Sequence, residues 1–344
     1  MFNSSRRTFV MSAAAAGAAF GLDKQLAFIS PAEAQKAASG SGAGAGSGAA
    51  AAAKPSLFDK GFVRFKIGDI EVTQLYDGAA TPAPIDPAFI PGATAEQIKA
   101  ALIKSGLSGE ARPNWFTVTI IKNKGKYTMF DSSTGGQVGG PDTGRMLAKN
   151  IYSAGIDPWK ISTIVVTHFH PDHVSGMMSK ETNSQVFPDA EIIVPAAEYK
   201  HYMDPALIAK LPEAGRGPVQ RMQNTFGKWK NMKQIEADKE VAPGIRSVAT
   251  YGHTPGHTSY LVTSGKKQLM VLGDVTNIPA INVVNPDWSI AFDADKAAAA
   301  ATRRKVFDRA IADKIIMTGY HWGMPGAGTV AKDGTGYAFI PVKV

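Results

Sequence analysis

Short apolar runs alternate with polar turns after residue 57, which predicts hairpin-like strands first and strand–helix units later. The predicted strands are rich in β-branched and aromatic residues: Phe62–Ile67, Ile70–Tyr76, Trp115–Lys122, Tyr127–Asp131, Thr163–Thr167, Ile192–Pro195, Arg246–Tyr251, Ser259–Thr263, Gln268–Leu272, Lys314–Met317 and Gly336–Val342. The predicted helices are Ala95–Ser105, Thr143–Ala154, Glu198–Lys210, Val219–Trp229 and Ala294–Ala312, the last with Asp293 as its cap. The pattern predicts a layered α/β (α+β) fold and one catalytic domain over residues 57–344.

The first 56 residues differ in composition from the rest of the chain. Arg6 and Arg7 precede the apolar stretch Val10–Leu22, which is too short to span a bilayer, and Ala32–Ala34 has the small residues that a signal peptidase accepts. Residues 1–34 are therefore predicted to be a signal peptide of the twin-arginine type, with an ordinary secretory signal as the alternative. Residues 35–56 contain almost only Ala, Gly, Ser and Lys, which predicts a flexible linker. We expect a bacterial periplasmic or secreted protein without stable membrane insertion.

Composition excludes several classes of function. The formal charge of +8 comes from scattered Lys and Arg residues, without the dense basic run or interleaved aromatics of a nucleic-acid-binding surface. The chain has no cysteine, which excludes disulfides, thiolate catalysis and cysteine-ligated metals. With 44% hydrophobic residues, the chain can still bury a substantial core. We therefore expect a small-molecule partner and no nucleic acid.

One segment concentrates potential metal ligands. The apolar run Ile164–Val166 leads into His168, His170, Asp172 and His173. Alternate residues of an extended segment point the same way, so His168 and His170 can share one ion, while Asp172 and His173 can face a second. Imidazole and carboxylate groups are the ligands of zinc and similar divalent metals. The segment predicts a metal site at the end of a buried strand.

Three further motifs add ligands to this set. His253 and His257 lie in a turn, Asp274 ends an apolar run, and His321 follows a predicted strand. Six of the seven histidines lie in these motifs, and only His201 lies outside them. Such clustering indicates a metal centre built from distant parts of the chain.

The combined motifs HxHxDH, GHTPGH and GD, followed by a late histidine, resemble those of the metallo-β-lactamase superfamily. The resemblance implies an αββα sandwich with one or two metals at the edge between its two sheets. More narrowly, the chain is similar to hydrolases of the methyl parathion hydrolase type and to related lactonases. That similarity covers Lys66–Thr73, Gly252–Tyr260, Leu272–Asp274 and Gly336–Val342.

The resemblance assigns a role to each motif residue. His168, His170 and His253 would hold a first metal, Asp172, His173 and His321 a second, and Asp274 would bridge both. It implies two divalent ions, zinc first, with Mn²⁺, Co²⁺ or Fe²⁺ as alternatives. Asp131 would orient the ligands, with a simple turn-forming role as the alternative, and His257 would lie behind them or in the substrate pocket. Relatives are often dimers, which implies a homodimer.

These assignments predict metal-assisted hydrolysis. Two ions that share a water lower its pKa toward about 7, so no strong base is needed. Asp172 is the predicted proton shuttle and Asp274 the predicted catalytic bridge, while Ser132 and Ser133 are interpreted as structural. A bridging Asp274 also argues against a true β-lactamase.

The substrate is predicted from the residues expected at the pocket. Tyr202, Trp288, Phe292 and His257 are candidate lining residues, and the three aromatics suggest an apolar or aromatic substrate, with plain core packing as an equal alternative. After Asp131 the chain lacks the aromatic residue of methyl parathion hydrolase. We therefore expect hydrolysis of lactones or aryl esters, with phosphotriesterase activity as a side reaction. The alternatives are an organophosphate hydrolase and a non-catalytic metal- or signal-binding protein.

Overall fold

The computed structural model describes residues 56–139 and 143–344. The predicted signal peptide and all but the last residue of the predicted linker lie outside this part of the chain and stay predictions. The described residues fall into two units, which divide between Lys60 and Gly61. In the described part of the first unit lies a short helix, α1 (Leu57–Lys60). None of the described helices combines the length and apolar character needed to cross a membrane.

The second unit contains two seven-stranded sheets, a two-stranded ribbon and the helices that cover the sheets. Its strands are β1 Phe62–Ile67, β2 Ile70–Ala79, β3 Ala83–Pro84, β4 Ala111–Arg112, β5 Trp115–Asn123, β6 Lys126–Phe130, β7 Ile161–Val165, β8 Glu191–Pro195, β9 Met232–Ile235, β10 Glu240–Ala242, β11 Ile245–Ala249, β12 Thr258–Ser264, β13 Lys267–Val271, β14 Ile316–Thr318, β15 Ala327–Asp333 and β16 Gly336–Pro341. Its α-helices are α2 Ala95–Lys104, α3 Leu147–Ser153, α4 Pro171–Val174, α5 Ala196–Tyr202, α6 Leu207–Lys210, α7 Glu213–Phe226 and α8 Lys296–Ala312. Short 3-10 helices lie at Pro158–Lys160 and Ser175–Met177, and a π-helix at Pro279–Val283.

The two sheets have seven strands each. The first has the order β1-β2-β5-β6-β7-β8-β9, and its strands turn from antiparallel to parallel at the β6–β7 pair. The second runs in sequence order from β10 to β16 and contains one parallel pair, β13–β14. Parallel strands put their carboxyl ends at the same edge of a sheet, which is where loops carry chemistry. Both sheets therefore offer an edge at which a site can form.

Apolar side chains join the layers. Val72 and Val165 of the first sheet share one buried cluster with Tyr260 and Val271 of the second, so the two sheets face each other. The opposite face of the first sheet packs against α3 and α7, and that of the second packs against α8. Each sheet is covered by the other sheet on one face and by helices on the opposite face. Because side chains are therefore buried on both faces, most of these strands are nearly continuous apolar runs. The observed architecture is a four-layer αββα sandwich, which confirms the predicted layered α/β fold.

Residues 80–114, here called the cap segment, connect β2 to β5. The ribbon β3–β4 and helix α2 lie within it, and the helix begins with a capping box between Thr94 and Gln97. Ile98 and Leu102 of α2 pack against Ile281 of the π-helix. The cap segment is thereby fixed to the chain just after Asp274.

Four predicted helices differ from the observed ones, and α3 begins at Leu147 rather than at Thr143. The helix predicted at Glu198–Lys210 is broken into α5 and α6, because Pro205 cannot continue an α-helix through the segment. Helix α7 begins at Glu213 rather than at Val219, although it contains Pro218. Helix α8 is capped by Asp295, whose side chain accepts a hydrogen bond from the Ala298 amide, so the prediction of Asp293 as the cap was wrong.

Candidate metal centre

The predicted ligands follow strands of both sheets and meet at one edge of the sandwich. The histidine segment comes directly after β7, and the Thr167 carbonyl accepts a hydrogen bond of 3.0 Å from the Thr258 amide at the start of β12. Asp274 and His321 follow the parallel neighbours β13 and β14. The fold therefore brings motifs more than a hundred residues apart in sequence to one place.

Three histidines form the first group. His168 Nε2 and His253 Nε2 each lie 3.0 Å from His170 Nδ1. Burial, followed by the nearby imidazoles, lowers the pKa of His168 well below its usual range, and burial lowers the pKa of His170 to about 3. Both rings are therefore neutral at physiological pH and present lone pairs, which is the form that binds a cation.

Asp172, His173 and His321 form the second group, and Asp274 lies between the two groups. His321 Nε2 lies 3.4 Å from Asp172 Oδ2 and 3.3 Å from Asp274 Oδ2. The other oxygen of Asp274 lies 3.4 Å from His173 Nε2, and Asp274 Oδ2 also lies 3.4 Å from His253 Nε2. One carboxylate thus touches histidines of both groups.

The chemistry of this donor set fits divalent cations. His173 Nε2 and Asp274 Oδ1 are buried and, within the described part of the chain, have no hydrogen-bond partner. Buried polar atoms are rarely left unpaired, and a cation between them would satisfy both. Although burial opposes it, the charge of Asp274 raises the pKa of His321 to about 9. A ring that attracts a proton so strongly also attracts a metal ion in its place.

Asp131 holds two parts of the histidine segment in position. Its two oxygens accept hydrogen bonds of 2.8 Å from the amide and the hydroxyl of Thr167, and Oδ2 lies 2.8 Å from His173 Nδ1. The Thr167 hydroxyl in turn lies 2.9 Å from His168 Nδ1. Such contacts to the second ring nitrogen set the tautomer and leave the first nitrogen for the metal. The contacts support the predicted orienting role of Asp131.

Residues 117–314, more than half of the chain, match the metallo-beta-lactamase superfamily. The chain belongs to this superfamily. An N-acyl homoserine lactonase of Bacillus sp. is 29% identical over 151 residues, which make up 44% of this chain and 52% of the relative. The N-acyl homoserine lactonase AttM of Agrobacterium fabrum is 30% identical over 116 residues, 33% of this chain and 40% of the relative. The match thus spans about half of the length of these relatives, or less.

Two solved structures share the whole fold. AidC, a dizinc quorum-quenching lactonase, has a TM-score of 0.72 at 24% identity, covering 83% of this chain and 98% of its own. The hydrolase AbOPH of the beta lactamase superfamily has a TM-score of 0.75 at 24% identity, with the same coverage. At this identity the likeness shows the fold alone. The predicted family membership and αββα sandwich are both confirmed.

Asp293 supports His253 in this metallo-β-lactamase fold, a role that the sequence interpretation missed. Its Oδ1 lies 2.9 Å from His253 Nδ1, and its Oδ2 lies 3.4 Å from the buried guanidinium of Arg303. That guanidinium also donates to the carbonyls of Val275 and Pro286. The buried pair therefore orients a candidate ligand from the side opposite the metal site. Because Asp293 precedes a predicted helix, the sequence pattern indicated a helix cap and gave no sign of its contact with His253.

Glu198 is a second residue that the motifs did not reveal. Its Oε1 accepts a hydrogen bond of 2.9 Å from the amide of Phe169, between His168 and His170. Its Oε2 accepts hydrogen bonds from the Thr254 hydroxyl and the Gly256 amide, beside His253. Burial raises the pKa of this carboxyl group to about 7. One fully buried carboxyl group thus joins the two loops that carry the first histidine group.

Of the two positions predicted for His257, behind the ligands or in the substrate pocket, its contacts support the first. The ring is fully buried, with Nδ1 2.8 Å from the Thr250 hydroxyl and Nε2 accepting a hydrogen bond from the Asp274 amide. Gly273 must be glycine at this point, because its φ is +58° and a Cβ would lie 2.8 Å from His257 Nε2. His257 therefore positions the backbone of Asp274, and neither of its ring nitrogens is left to contact a substrate.

The three aromatic candidates occupy different places. Phe292 is 63% exposed and its ring centroid lies 6.3 Å from that of His170, so it borders the metal site. Tyr202 is buried against Phe169. Its burial, together with the nearby carboxylates of Glu198 and Asp172, raises the pKa of its hydroxyl group. Trp288 is half-buried against the apolar cluster of the cap segment. Of the three, Phe292 alone is shown in direct ring contact with a candidate ligand.

Asp77 is buried and accepts hydrogen bonds from the Ser133 hydroxyl and the Leu147 amide. The Tyr320 hydroxyl lies 3.2 Å from Ser133 Oγ and donates to the Asp172 carbonyl at 2.6 Å. This chain of contacts connects the end of β2 to the ligand loop. It also confirms a structural position for Ser133, since its hydroxyl is occupied.

The buried Asp77 carboxyl group predicts a pH dependence of stability. Burial raises its pKa from 3.8 to about 7, so the folded protein holds this proton more tightly than the unfolded chain does. Asp77 therefore lowers the free energy of unfolding as pH rises from about 4 to about 7, and the loss is complete above pH 7. In Asp77→Asn, thermal melts across this range should lose that part of the decline. The exposed control Asp69→Asn should retain it, and equal profiles for both variants would contradict the prediction.

Proposed function

We propose that the protein is a hydrolase that opens lactones or cleaves aryl esters with the help of two divalent metal ions, most simply zinc. The observation that carries the proposal is the convergence of seven side chains around unpaired buried atoms of His173 and Asp274. These side chains form three overlapping groups of three, and within each group the ligand atoms lie within 4.8 Å of one another. The relatives named as N-acyl homoserine lactonases support a lactone as the first substrate class.

When bound, such ions polarise a carbonyl oxygen and lower the pKa of water. The protein residues then have three tasks. The two histidine groups hold their ring nitrogens toward a common centre, fixed by Asp131, Asp293 and the Trp115 carbonyl, which lies 2.8 Å from His321 Nδ1. This preorganisation spares the site from rearranging during the reaction.

Asp172 is the residue best placed to move a proton. The side chain of Asp172 is 22% exposed, whereas that of Asp274 is 4% exposed, so a leaving group can reach Asp172 more easily. The neighbouring rings of His173 and His321 lower the pKa of Asp172 to about 2 against the effect of burial. In the free protein the group is therefore ionised and can accept a proton at Oδ before passing it to the leaving oxygen.

Phe292 supplies an apolar border to the same centre. Its exposed ring beside His170 favours substrates with an alkyl or aryl group next to the scissile bond. Phosphotriesters fit the same chemistry, and we propose them as slower substrates because residues 132–139 after Asp131 contain no aromatic side chain.

The function is tested by metal analysis together with a substrate panel. We expect two metal ions per chain after zinc loading, and turnover of an N-acyl homoserine lactone, a γ-lactone and a p-nitrophenyl ester, with slower turnover of paraoxon. A chelator should lower these rates by about a hundredfold or more, and added Zn²⁺, Mn²⁺ or Co²⁺ should restore them. Two bound ions without hydrolysis of any substrate would refute the enzyme and favour a non-catalytic binding protein.

A further inference from the structure

Arg112, in the cap segment, is a buried cation without a carboxylate partner among the described residues. The side chain is 9% exposed, and its Nε has no hydrogen-bond partner. Among the residues that the structure describes, no carboxylate forms an ion pair with it, and its guanidinium carbon lies 3.6 Å from the centroid of the Phe89 ring. The other deeply buried guanidinium, Arg303, is paired with Asp293 and bonded to backbone carbonyls. Arg112 therefore differs from a guanidinium that only completes the core.

Two aromatic rings connect Arg112 to the metal centre. Phe89 meets Phe292 edge to face, with ring centroids 5.5 Å apart, and Phe292 meets His170 at 6.3 Å. The Ala291 amide donates a hydrogen bond of 2.8 Å to the Phe89 carbonyl, which ties this part of the cap segment to the loop before α8. An apolar path two rings long thus begins at a candidate metal ligand and ends at an unpaired positive charge.

We propose that Arg112 binds the anionic end of the substrate, and that the preferred substrates are lactones or esters whose apolar chain ends in a carboxylate. The proposal rests on the proposed hydrolytic function and adds a substrate class to it. The scissile bond would lie at the metal centre, the chain along Phe292 and Phe89, and the carboxylate against the guanidinium. No residue of this path is one of the seven candidate ligands except His170, at its start.

The energetics favour a ligand over a purely structural role. Burying a charge without a counter-ion is unfavourable, and a cation–π contact offsets only part of that cost. Burial lowers the pKa of Arg112 to about 10, so the group stays charged at neutral pH. A carboxylate can accept two parallel hydrogen bonds from a guanidinium and would supply the missing counter-charge.

The test uses pairs of chromogenic esters of equal chain length, from six to twelve carbons: the p-nitrophenyl ester of the fatty acid, and the mono-p-nitrophenyl ester of the matching diacid, which adds a terminal carboxylate. The zinc-loaded wild-type protein should prefer the acidic ester. Arg112→Met should lower kcat/KM for that ester by about tenfold or more and change the neutral ester by less than about twofold, because a charged hydrogen bond is lost. Most of the loss should appear in KM, since binding is affected rather than the chemical step.

Two further variants make the outcome decisive. Arg112→Lys, which keeps the charge, should retain part of the preference even if Arg112→Met folds poorly. Arg64→Met, which removes a partly exposed guanidinium paired with Glu71, should leave the preference unchanged and controls for general charge attraction. An equal loss for both esters in Arg112→Met, or no preference in the wild type, would overturn the inference. Hydrolysis of neither ester or of any lactone by the wild type would instead refute the proposed function.

Discussion

Asp274→Asn should lower kcat/KM about a thousandfold or more and weaken metal retention, because one carboxylate touches both groups of candidate ligands. Its oxygens lie 3.3–3.4 Å from the nearest ring nitrogens of His173, His253 and His321. An asparagine keeps the size of the side chain but replaces one oxygen with a hydrogen-bond donor and removes the negative charge. The NH₂ group would then face a neighbouring ring nitrogen or a cation, and neither geometry holds two ions.

The measurement combines steady-state kinetics with metal analysis before and after dialysis. Asp313→Asn is the matched control, since its side chain is exposed at the end of α8 and contacts Arg309. The control should keep both ions and wild-type rates. Full activity in Asp274→Asn would refute the bridging role, and retention of both ions without activity would place the role of Asp274 in the reaction rather than in metal binding.

The ligands themselves could be predicted from the sequence because each one lies in a short motif. His168, His170, Asp172 and His173 follow an apolar strand at fixed spacing, so local geometry alone brings them together. The later ligands were joined to them by family resemblance, since no local pattern shows that β13 and β14 end at the same edge. Glu198 and Asp293, which support the ligands, lie in no recognisable motif and match no family pattern. Glu198, for example, accepts a hydrogen bond from Thr254, 56 positions away in the sequence.

Strand prediction succeeded for the most apolar segments and missed more polar strands such as β9 and β15. Strand β1 was predicted with its observed bounds, whereas β9 was missed because none of its four side chains is fully buried. Helix α7 was shortened because Gly215, Gly217 and Pro218 are typical helix breakers, yet tertiary packing of its later turns sustains the helix through them. In both cases the deciding interactions come from distant residues.

Glu198→Gln should selectively weaken the metal site formed by His168, His170 and His253. Oε1 and Oε2 of Glu198 accept three hydrogen bonds in all, from the Phe169 amide, the Thr254 hydroxyl and the Gly256 amide. A glutamine can accept from one side only, so its NH₂ group would face at least one backbone N–H. Losing an outer contact of this kind typically costs 10–100-fold in metal affinity, and the mismatched donors would lower stability by roughly 1–3 kcal/mol.

The loops have little freedom to relax around the change. A Cβ on Gly256 would lie 2.1 Å from the Glu198 amide nitrogen, so the backbone of the turn rests directly on the start of α5. Competition with a chromophoric chelator should therefore show one weakened ion and one nearly unchanged ion, with a lower melting temperature. Glu191→Gln, on the exposed start of β8, is the matched control and should behave as wild type.

A split between the two ions is the result that identifies Glu198 as a positioning residue. A merely structural contribution would lower the melting temperature while leaving the affinity of the folded protein for both ions unchanged. Equal weakening of both ions would instead indicate a general loosening of the ligand loops. Selective weakening follows from the geometry, since the Glu198 side chain bonds to the loops of His168, His170 and His253 and is not seen to bond to Asp172, His173 or His321 in the described part of the chain.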